Sequence, residues 1–495
     1  MLTRIEIDGF KSFARFKLDV PPFLVVIGAN ASGKSNLFDG IQLLRRLVDT
    51  AGLYDAFAAA RGDLGELFRR RGDGQVVDRM TFAVEVLLDP KVVDQFGAEL
   101  EVSHTRIRYE LEIVQRQSED GFVRPYVARE EAWPIRAAED NWARRQRVGR
   151  GFRSTFLRYK RQSPLLETTV DDAGRQVFRI AQEGRQGRKR ELAAHAAEST
   201  VLSSITSAGE FPLLYALRRE IASWRFLQLD PASLRMPSSR HQRGEQLDPS
   251  GANLAKVLRR IEQTTADEYG SSLNEIATDM ARIVRGFAGI EVEENAAKEQ
   301  WEIYLRTRDE GRVSARVASD GTLRVLALLA ALYDPAHRGL ICFEEPENGI
   351  YPQRLRELVR HLRKLVTDPT GDVTEEEPLA QLIMSSHSPL MLVAFDDREA
   401  LLVMDWITVP EPGELGVRSR VSRARRLAPV SPGGTPPLDE VGLVVPEPEW
   451  RAFAAISEED AHRRNDEPAL PGKRALVSSV GHRDVRGSER TEVDP

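Results

Sequence analysis

Residues 24–38 read LVVIGANASGKSNLF. Four apolar residues, Leu24 to Ile27, run straight into Gly28-Ala29-Asn30-Ala31-Ser32-Gly33-Lys34-Ser35, a G-x-x-x-x-G-K-S pattern. That spacing predicts a tight loop between a buried strand and a helix, with Leu37, Ile41, Leu44 and Val48 continuing at helical intervals. Gly28 and Gly33 let the backbone turn its N–H groups inward toward phosphate oxygens. The helix that follows offers its positive N-terminal end to the same phosphates. Lys34 has the reach for β- and γ-phosphates, and the Ser35 hydroxyl is suited to ligate magnesium.

The composition agrees with a globular chain built around that loop. Of 495 residues, 41% are hydrophobic and 29% charged, and the net charge is −6. The length corresponds to about three domains, or to one elaborated α/β domain. The N-terminus, MLTRIEIDGF, lacks the apolar core of a signal peptide, and no apolar run approaches the ~18 residues of a membrane span. A cytoplasmic chain without membrane contact is expected. One cysteine, Cys342, permits no intrachain disulfide and fits a reducing compartment.

Upstream of the loop, residues 2–20 alternate apolar and polar (Leu2, Ile5, Ile7, then Phe16, Leu18, Val20) around Gly9-Phe10-Lys11-Ser12-Phe13, which predicts an edge hairpin. Pro21-Pro22 separates it from the next strand. Downstream, 76–89 resume the alternation. A strand pair is expected over 100–115, where Ile107, Tyr109, Leu111 and Ile113 share a face. Apolar residues recur over 210–230, helices are expected over 251–263 and 271–287, and 301–317 read as a hairpin turning at Asp309-Glu310-Gly311.

Residues 136–191 are basic, with fifteen Arg or Lys against seven Asp or Glu, a net of 15 − 7 = +8. Trp142, Phe152, Phe156 and Tyr159 interleave with Arg144, Arg145, Arg147, Arg150, Arg153, Arg158 and Lys160. Arginine with interspersed aromatics suits phosphate contact and base stacking of DNA or RNA. A solvated charged face is the commoner meaning of such a run.

Three clusters lie further on. Ser319-Asp320-Gly321 opens an apolar helix, an arrangement that serves either as a plain N-cap or as a second anion site. Leu340 to Phe343 is a short buried-strand run ending in Glu344-Glu345-Pro346-Glu347, which places carboxylates at a strand's carboxyl end, where one can support magnesium and the next act as general base. A third strand, Leu382 to Met384, ends at Ser385-Ser386-His387-Ser388-Pro389, a place from which the histidine is suited to hydrogen-bond a γ-phosphate or the attacking water.

Together, FKSF (10–13), GANASGKSN (28–36), SDGTLRVLALLAAL (319–332), ICFEEPENGIYP (341–352) and SSHSP (385–389) resemble the ABC-type ATPases of the SMC/RecF/OLD class. The likeness is to the stand-alone bacterial AAA family ATPases that lack a Toprim nuclease domain. In order, the segments look like the N-terminal strand motif, Walker A, signature, Walker B with D-loop, and switch histidine. DPSGANLAKVL (248–258) resembles a helix entry upstream of the signature. The resemblance spans roughly 1–115 and 245–405.

It implies an α/β P-loop NTPase head of the ABC type: a mixed and parallel sheet flanked by helices, an N-terminal antiparallel β layer, and an inserted α+β subdomain. It implies ATP and Mg2+ as cofactors. Gly28, Ala29, Asn30, Ala31, Ser32, Gly33, Lys34, Ser35 and Asn36 of one head would hold the same nucleotide as Ser319, Asp320 and Gly321 of the other head of a homodimer. Ser35 and Glu344 would serve the metal, Glu345 would be the catalytic base, His387 the γ-phosphate sensor, and Lys34 would complete the catalytic set. Glu344 stands where Asp is common, and Asp320 where transporters carry a second glycine, which argues against a transporter subunit. For the Q-loop glutamine the sequence offers only Gln75.

The expected organisation is 1–115 and 246–408 as the two parts of the head, 116–245 as a basic insertion, and 409–495 as a Pro/Gly-rich, partly disordered extension. Residues 395–495 hold neither an Asp-x-Asp pair nor a Cys or His cluster, so any nuclease or other effector is expected on a separate chain. The expected function is an ATP-driven switch in nucleic-acid transactions such as anti-phage defence or DNA repair. The alternative is an ATP-gated scaffold that sequesters and releases a toxic effector with little turnover.

Overall fold

The computed structural model describes residues 1–427 except 119–120, 183–188, 243, 268–269, 375–376, 389–390, 393–394, 396–399 and 415, together with 444–445. Most of the extension expected over 409–495, and the disorder expected of it, lies outside the described residues.

The N-terminal hairpin forms as expected: β1 (Leu2–Asp8) and β2 (Phe16–Asp19) pair antiparallel, with Ile5 opposite Leu18. β3 (Phe23–Ile27) is buried at every position and feeds α1 (Lys34–Asp49). Two short helices follow, α2 (Leu53–Ala58) and α3 (Leu64–Leu67). β4 (Arg79–Leu87) takes the free edge of β1, β5 (Lys91–Val93) and β6 (Glu99–Glu101) form a small hairpin apart, and β7 (Arg106–Gln117) pairs with β4. The strand pair expected over 100–115 is therefore mainly one long strand. Ile107, Tyr109, Leu111 and Ile113 alternate onto its buried face, and no turn residue separates them.

The basic stretch extends this layer. β8 (Val123–Pro134), α4 (Asn141–Arg145), α5 (Arg150–Phe156), β9 (Leu166–Val170), β10 (Gln176–Ala181) and β11 (Lys189–Ala193) follow in turn. The strands continue one eight-stranded antiparallel sheet ordered β11-β10-β9-β8-β7-β4-β1-β2. The insertion thus shares a sheet with the head, and the boundary expected at 115 falls inside β7.

The interleaved aromatics point inward. Trp142, Phe152 and Phe156 are 4%, 0% and 1% exposed and pack together with Met1 and Leu87. Tyr159 donates to Asp140 at 2.8 Å, and Trp142 Nε1 to the Val20 carbonyl at 3.2 Å. Arg144 donates to the Ala138 carbonyl and to Asn141, Arg145 pairs with Asp19, and Arg158 reaches the Pro90 and Val102 carbonyls. Burial takes Trp142, Phe152 and Phe156 out of base stacking; with the half-buried Tyr159 packed against them, they anchor the insertion to the head.

α6 (Val201–Ser204) and α7 (Pro212–Ala222) lead to β12 (Arg225–Leu227), then α8 (Pro231–Leu234), β13 (Ser238–Ser239), α9 (Leu254–Thr264) and α10 (Ser272–Ile283). The helix expected to reach 287 stops at Ile283, because Gly286 at φ +77° turns the chain and Phe287 opens the next strand. β15 (Gln300–Thr307) and β16 (Gly311–Ser314) form the hairpin expected over 301–317, and β14 (Phe287–Asn295) pairs with β15 on its other side to make a meander. The last elements are α11 (Asp320–Tyr333), β17 (Gly339–Glu344), α12 (Pro352–Lys364), β18 (Ala380–Ser386), β19 (Leu401–Pro410), β20 (Arg418–Leu427) and β21 (Val444–Val445).

The core sheet is ordered β12-β17-β18-β3-β19-β20-β21. β12 through β19 pair in parallel, and β20 returns antiparallel along β19. The sheet runs on past the boundary expected at 408, which cuts β19 itself. Alternation in β3 divides the interior: Leu24 and Val26 face α1 and the antiparallel layer, whereas Phe23, Val25 and Ile27 face α9 to α12. The molecule is the α/β head that the motifs imply, a buried parallel sheet with helices on both faces and a β layer over one of them.

Candidate functional site

Parallel pairing brings distant motifs to one edge. Glu344 pairs with Ser385, and Ser386 with Ile27, so β17, β18 and β3 end side by side at their carboxyl ends. Ligands bind open α/β sheets at that edge.

The loop from Gly28 to Ser35 begins where β3 ends. Gly33 has φ +104°, and a Cβ there would lie 2.1 Å from Ser422 Oγ, so no other residue fits. Ala29, Asn30 and Ala31 form the exposed rim, with Ala31 at φ +63°. Ser32 is buried, and its Oγ has no hydrogen-bond partner. Lys34 Nζ donates to the carbonyls of Gly28 (2.6 Å) and Ala29 (3.0 Å). Burial lowers the Lys34 pKa, and Glu345, Glu347 and Glu344 oppose that shift, so all three carboxylates act on the loop lysine. Ser35 sits half-buried in the first turn of α1, and Asn36 Nδ2 donates to Ser12 Oγ at 2.8 Å.

Glu344 Oε2 accepts from Gln228 Nε2 at 3.2 Å. Glu345 has φ +52°, sparsely populated for any residue with a Cβ. Its Oε1 lies 3.1 Å from His387 Nδ1, and its Oε2 accepts from Asn348 Nδ2 at 2.6 Å. Both oxygens are thereby positioned while the side chains of Glu345 and His387 stay 45% exposed. Glu347 accepts from the Ser386 hydroxyl through one oxygen, and its other oxygen is buried without a partner. Burial raises the Glu347 pKa. Cys342, in the interior of β17, has its thiol pKa pushed well up, chiefly by burial and then by Glu344, which leaves it a core residue.

The third predicted group stands apart from these. Ser319 Oγ accepts from the Thr322 N–H at 3.2 Å and caps α11, Asp320 pairs with Arg235, and Gly321 packs against Gly349 so closely that a Cβ would meet its carbonyl at 1.9 Å. Among the described residues, no hydrogen bond or ion pair joins Ser319, Asp320 or Gly321 to Gly28–Asn36 of the same chain. Gln75 lies in an exposed turn closed by a 2.7 Å bond from the Arg71 N–H to its carbonyl. The glutamine that touches one of them is Gln228, which sequence reasoning missed. The sequence carries little signal for it, because the strand it follows, Arg225–Leu227, is three residues long and takes its place beside β17 only through long-range pairing.

The donor set fits a nucleotide with magnesium. Among the described residues no group of three or more His, Cys, Asp or Glu forms a metal cage of its own. Magnesium at phosphate sites takes one or two protein ligands and completes its shell with phosphates and water; Ser35 and Glu344 would supply those two. The unpartnered Ser32 hydroxyl offers a further polar contact.

Residues 23–393 match the family described as "AAA domain, putative AbiEii toxin, Type IV TA system". A search of the curated proteins finds no match. Among solved structures, the chain is similar to an SMC head bound to the C-winged helix domain of ScpA, at 11% identity and a TM-score of 0.43, covering 86% of this chain and 97% of that one. The SMC head domain from Thermotoga maritima is 12% identical with a TM-score of 0.36, covering 86% and 98%. An SMC head from Pyrococcus furiosus, with an extended coiled coil and bound to the C-terminal domain of ScpA, is 12% identical with a TM-score of 0.39, covering 85% and 96%. The family match covers three quarters of the chain's length, and the chain belongs to this AAA-domain family.

Proposed function

We propose that the chain binds and hydrolyses ATP with magnesium and works as a molecular switch. The observation that carries this reading is the contact between Glu345 and His387 beside Lys34. Lys34 and the loop N–H groups would hold the phosphates, and Ser35 and Glu344 the metal, which neutralises charge developing on them. Glu345, oriented by His387 and Asn348, would take the proton of the attacking water. Gln228 would fix Glu344 through its amide. Ser319 and Gly321, apart from the loop in their own chain, would complete the site of a second copy, so that ATP joins two heads and hydrolysis parts them.

The switch would serve anti-phage defence or DNA repair, with a nuclease or other effector on a separate chain. A second reading, a scaffold that holds and releases a toxic effector, draws support from the toxin–antitoxin description of the family. The test is steady-state ATP hydrolysis by the purified chain, followed by capture of partners from the native host with and without ATP. Turnover abolished by Lys34→Ala supports the enzyme. A co-purifying protein released on ATP addition, with negligible turnover, supports the scaffold. Wild-type chain that neither binds nor hydrolyses ATP overturns both.

A further inference from the structure

β19 continues past the end of the strand it flanks. Val403 pairs with Ile27, the last residue of β3, and β19 runs on to Pro410. Trp406 therefore stands three residues, about 10 Å, beyond the point where the phosphate loop departs. Leu402 and Met404 face the interior that holds Leu24, Val26 and the buried side of α1. Period-two alternation puts Trp406 next in that row, on the same face as α1.

The partner strand places it more closely. Trp406 is directly opposite Ser422, and opposed residues of antiparallel strands share a face. Ser422 Oγ is the atom against which Gly33 is packed, and it lies 2.7 Å from Ser12 Oγ, which in turn accepts from Asn36. Two residues along the same face of β20, the Arg420 guanidinium lies 3.8 Å from the centre of the Trp406 ring. The indole remains 49% exposed, whereas most large apolar side chains of this layer are covered.

We infer that Trp406, steadied by Arg420, is the platform on which the nucleobase of the bound nucleotide stacks. This rests on the nucleotide reading of the site given above. A flat aromatic face backed by a guanidinium attracts any base through its π-system and distinguishes little between bases. The platform thus contributes affinity for the nucleoside and leaves the choice of purine open. The loop holds the phosphates at Gly33, and the strand pair that closes over Gly33 carries the platform beyond it.

The test is equilibrium binding of ATP, GTP and inorganic tripolyphosphate to the full chain, comparing wild type, Trp406→Ala and Trp406→Phe, with melting curves to verify folding. Trp406→Ala should weaken ATP and GTP about tenfold each and leave tripolyphosphate unchanged, and Trp406→Phe should recover most of the loss. In wild type, ATP should quench tryptophan fluorescence and tripolyphosphate should not; Trp406→Phe should lose that quench. Equal ATP affinity in wild type and Trp406→Ala overturns the platform, leaving Trp406 and Arg420 a surface pair. So does equal weakening of ATP and tripolyphosphate. If wild type binds neither, the nucleotide reading itself fails and the platform with it.

Discussion

His387 Nδ1 and Glu345 Oε1 lie 3.1 Å apart across the ends of two parallel strands, and Asn348 holds the other oxygen of the same carboxylate. The contact joins residues 42 apart in sequence and depends on the register that sets Glu344 beside Ser385. Glu345→Gln keeps the shape and the Asn348 neighbour but cannot accept a proton. It should retain ATP binding and lower turnover by about 10²–10⁴-fold. His387→Ala should slow turnover while leaving ATP binding close to wild type. Normal hydrolysis by Glu345→Gln, measured as phosphate release, would remove Glu345 from the role of base.

The approach of Gly321 to Gly349 makes an opposite forecast to helix propensity. Alanine in a helix interior normally gains about 1 kcal/mol over glycine. At 321 its Cβ would press on the Gly349 carbonyl, so Gly321→Ala should lose about 1–3 kcal/mol. Gly65, which has nothing within 4 Å, is the control: Gly65→Ala should be neutral or slightly stabilising. Urea midpoints of the two variants decide it, and similar values for both would exclude the steric contact.

His337 is 3% exposed, and burial, with Arg225 nearby, lowers its pKa to about 3. The folded state holds it neutral while the unfolded chain protonates it from its ordinary value of 6.5 downward. Stability is therefore intact above pH 6.5 and falls as pH drops from there toward 3, by about 2 kcal/mol at pH 5 from this residue. His337→Leu should flatten that limb of the stability–pH curve. A wild-type curve level between pH 7 and 5 would show that the ring is not held neutral.

Trp142 lies on the inner side of α4, against Phe152 and under the Arg106 guanidinium, 5.3 Å from its ring. Trp142→Ala should cost about 3–5 kcal/mol of stability. Arg144→Ala, an exposed position, should cost little. Denaturation of both variants reads the difference; an unaffected Trp142→Ala would return the aromatics of the basic stretch to the surface.

The sequence made the loop, the carboxylate pair and the strand-end histidine legible because each depends on a local pattern, an apolar strand followed by a polar turn. It also made Ser422, Gln228 and Trp406 visible as residues but gave them no role, since their places depend on long-range pairing. β12 is three residues long and β20 is dominated by arginine, so neither shows the apolar run of a core strand. The aromatics of 136–191 misled for a related reason. On helices as short as α4 and α5, spacing shows little of which side faces inward, and charge around an aromatic looks the same from either side.

The hydroxyl contact between Ser12 and Ser422 spans 410 positions of the chain. A ribosome releases GANASGKS early, yet the wall behind Gly33 is missing until β20 emerges. A growing chain thus carries the phosphate-binding pattern long before it has the support that shapes it. On the proposed nucleotide reading, synthesis from the N-terminus should make capture a late event, open to a chain whose core sheet is nearly complete.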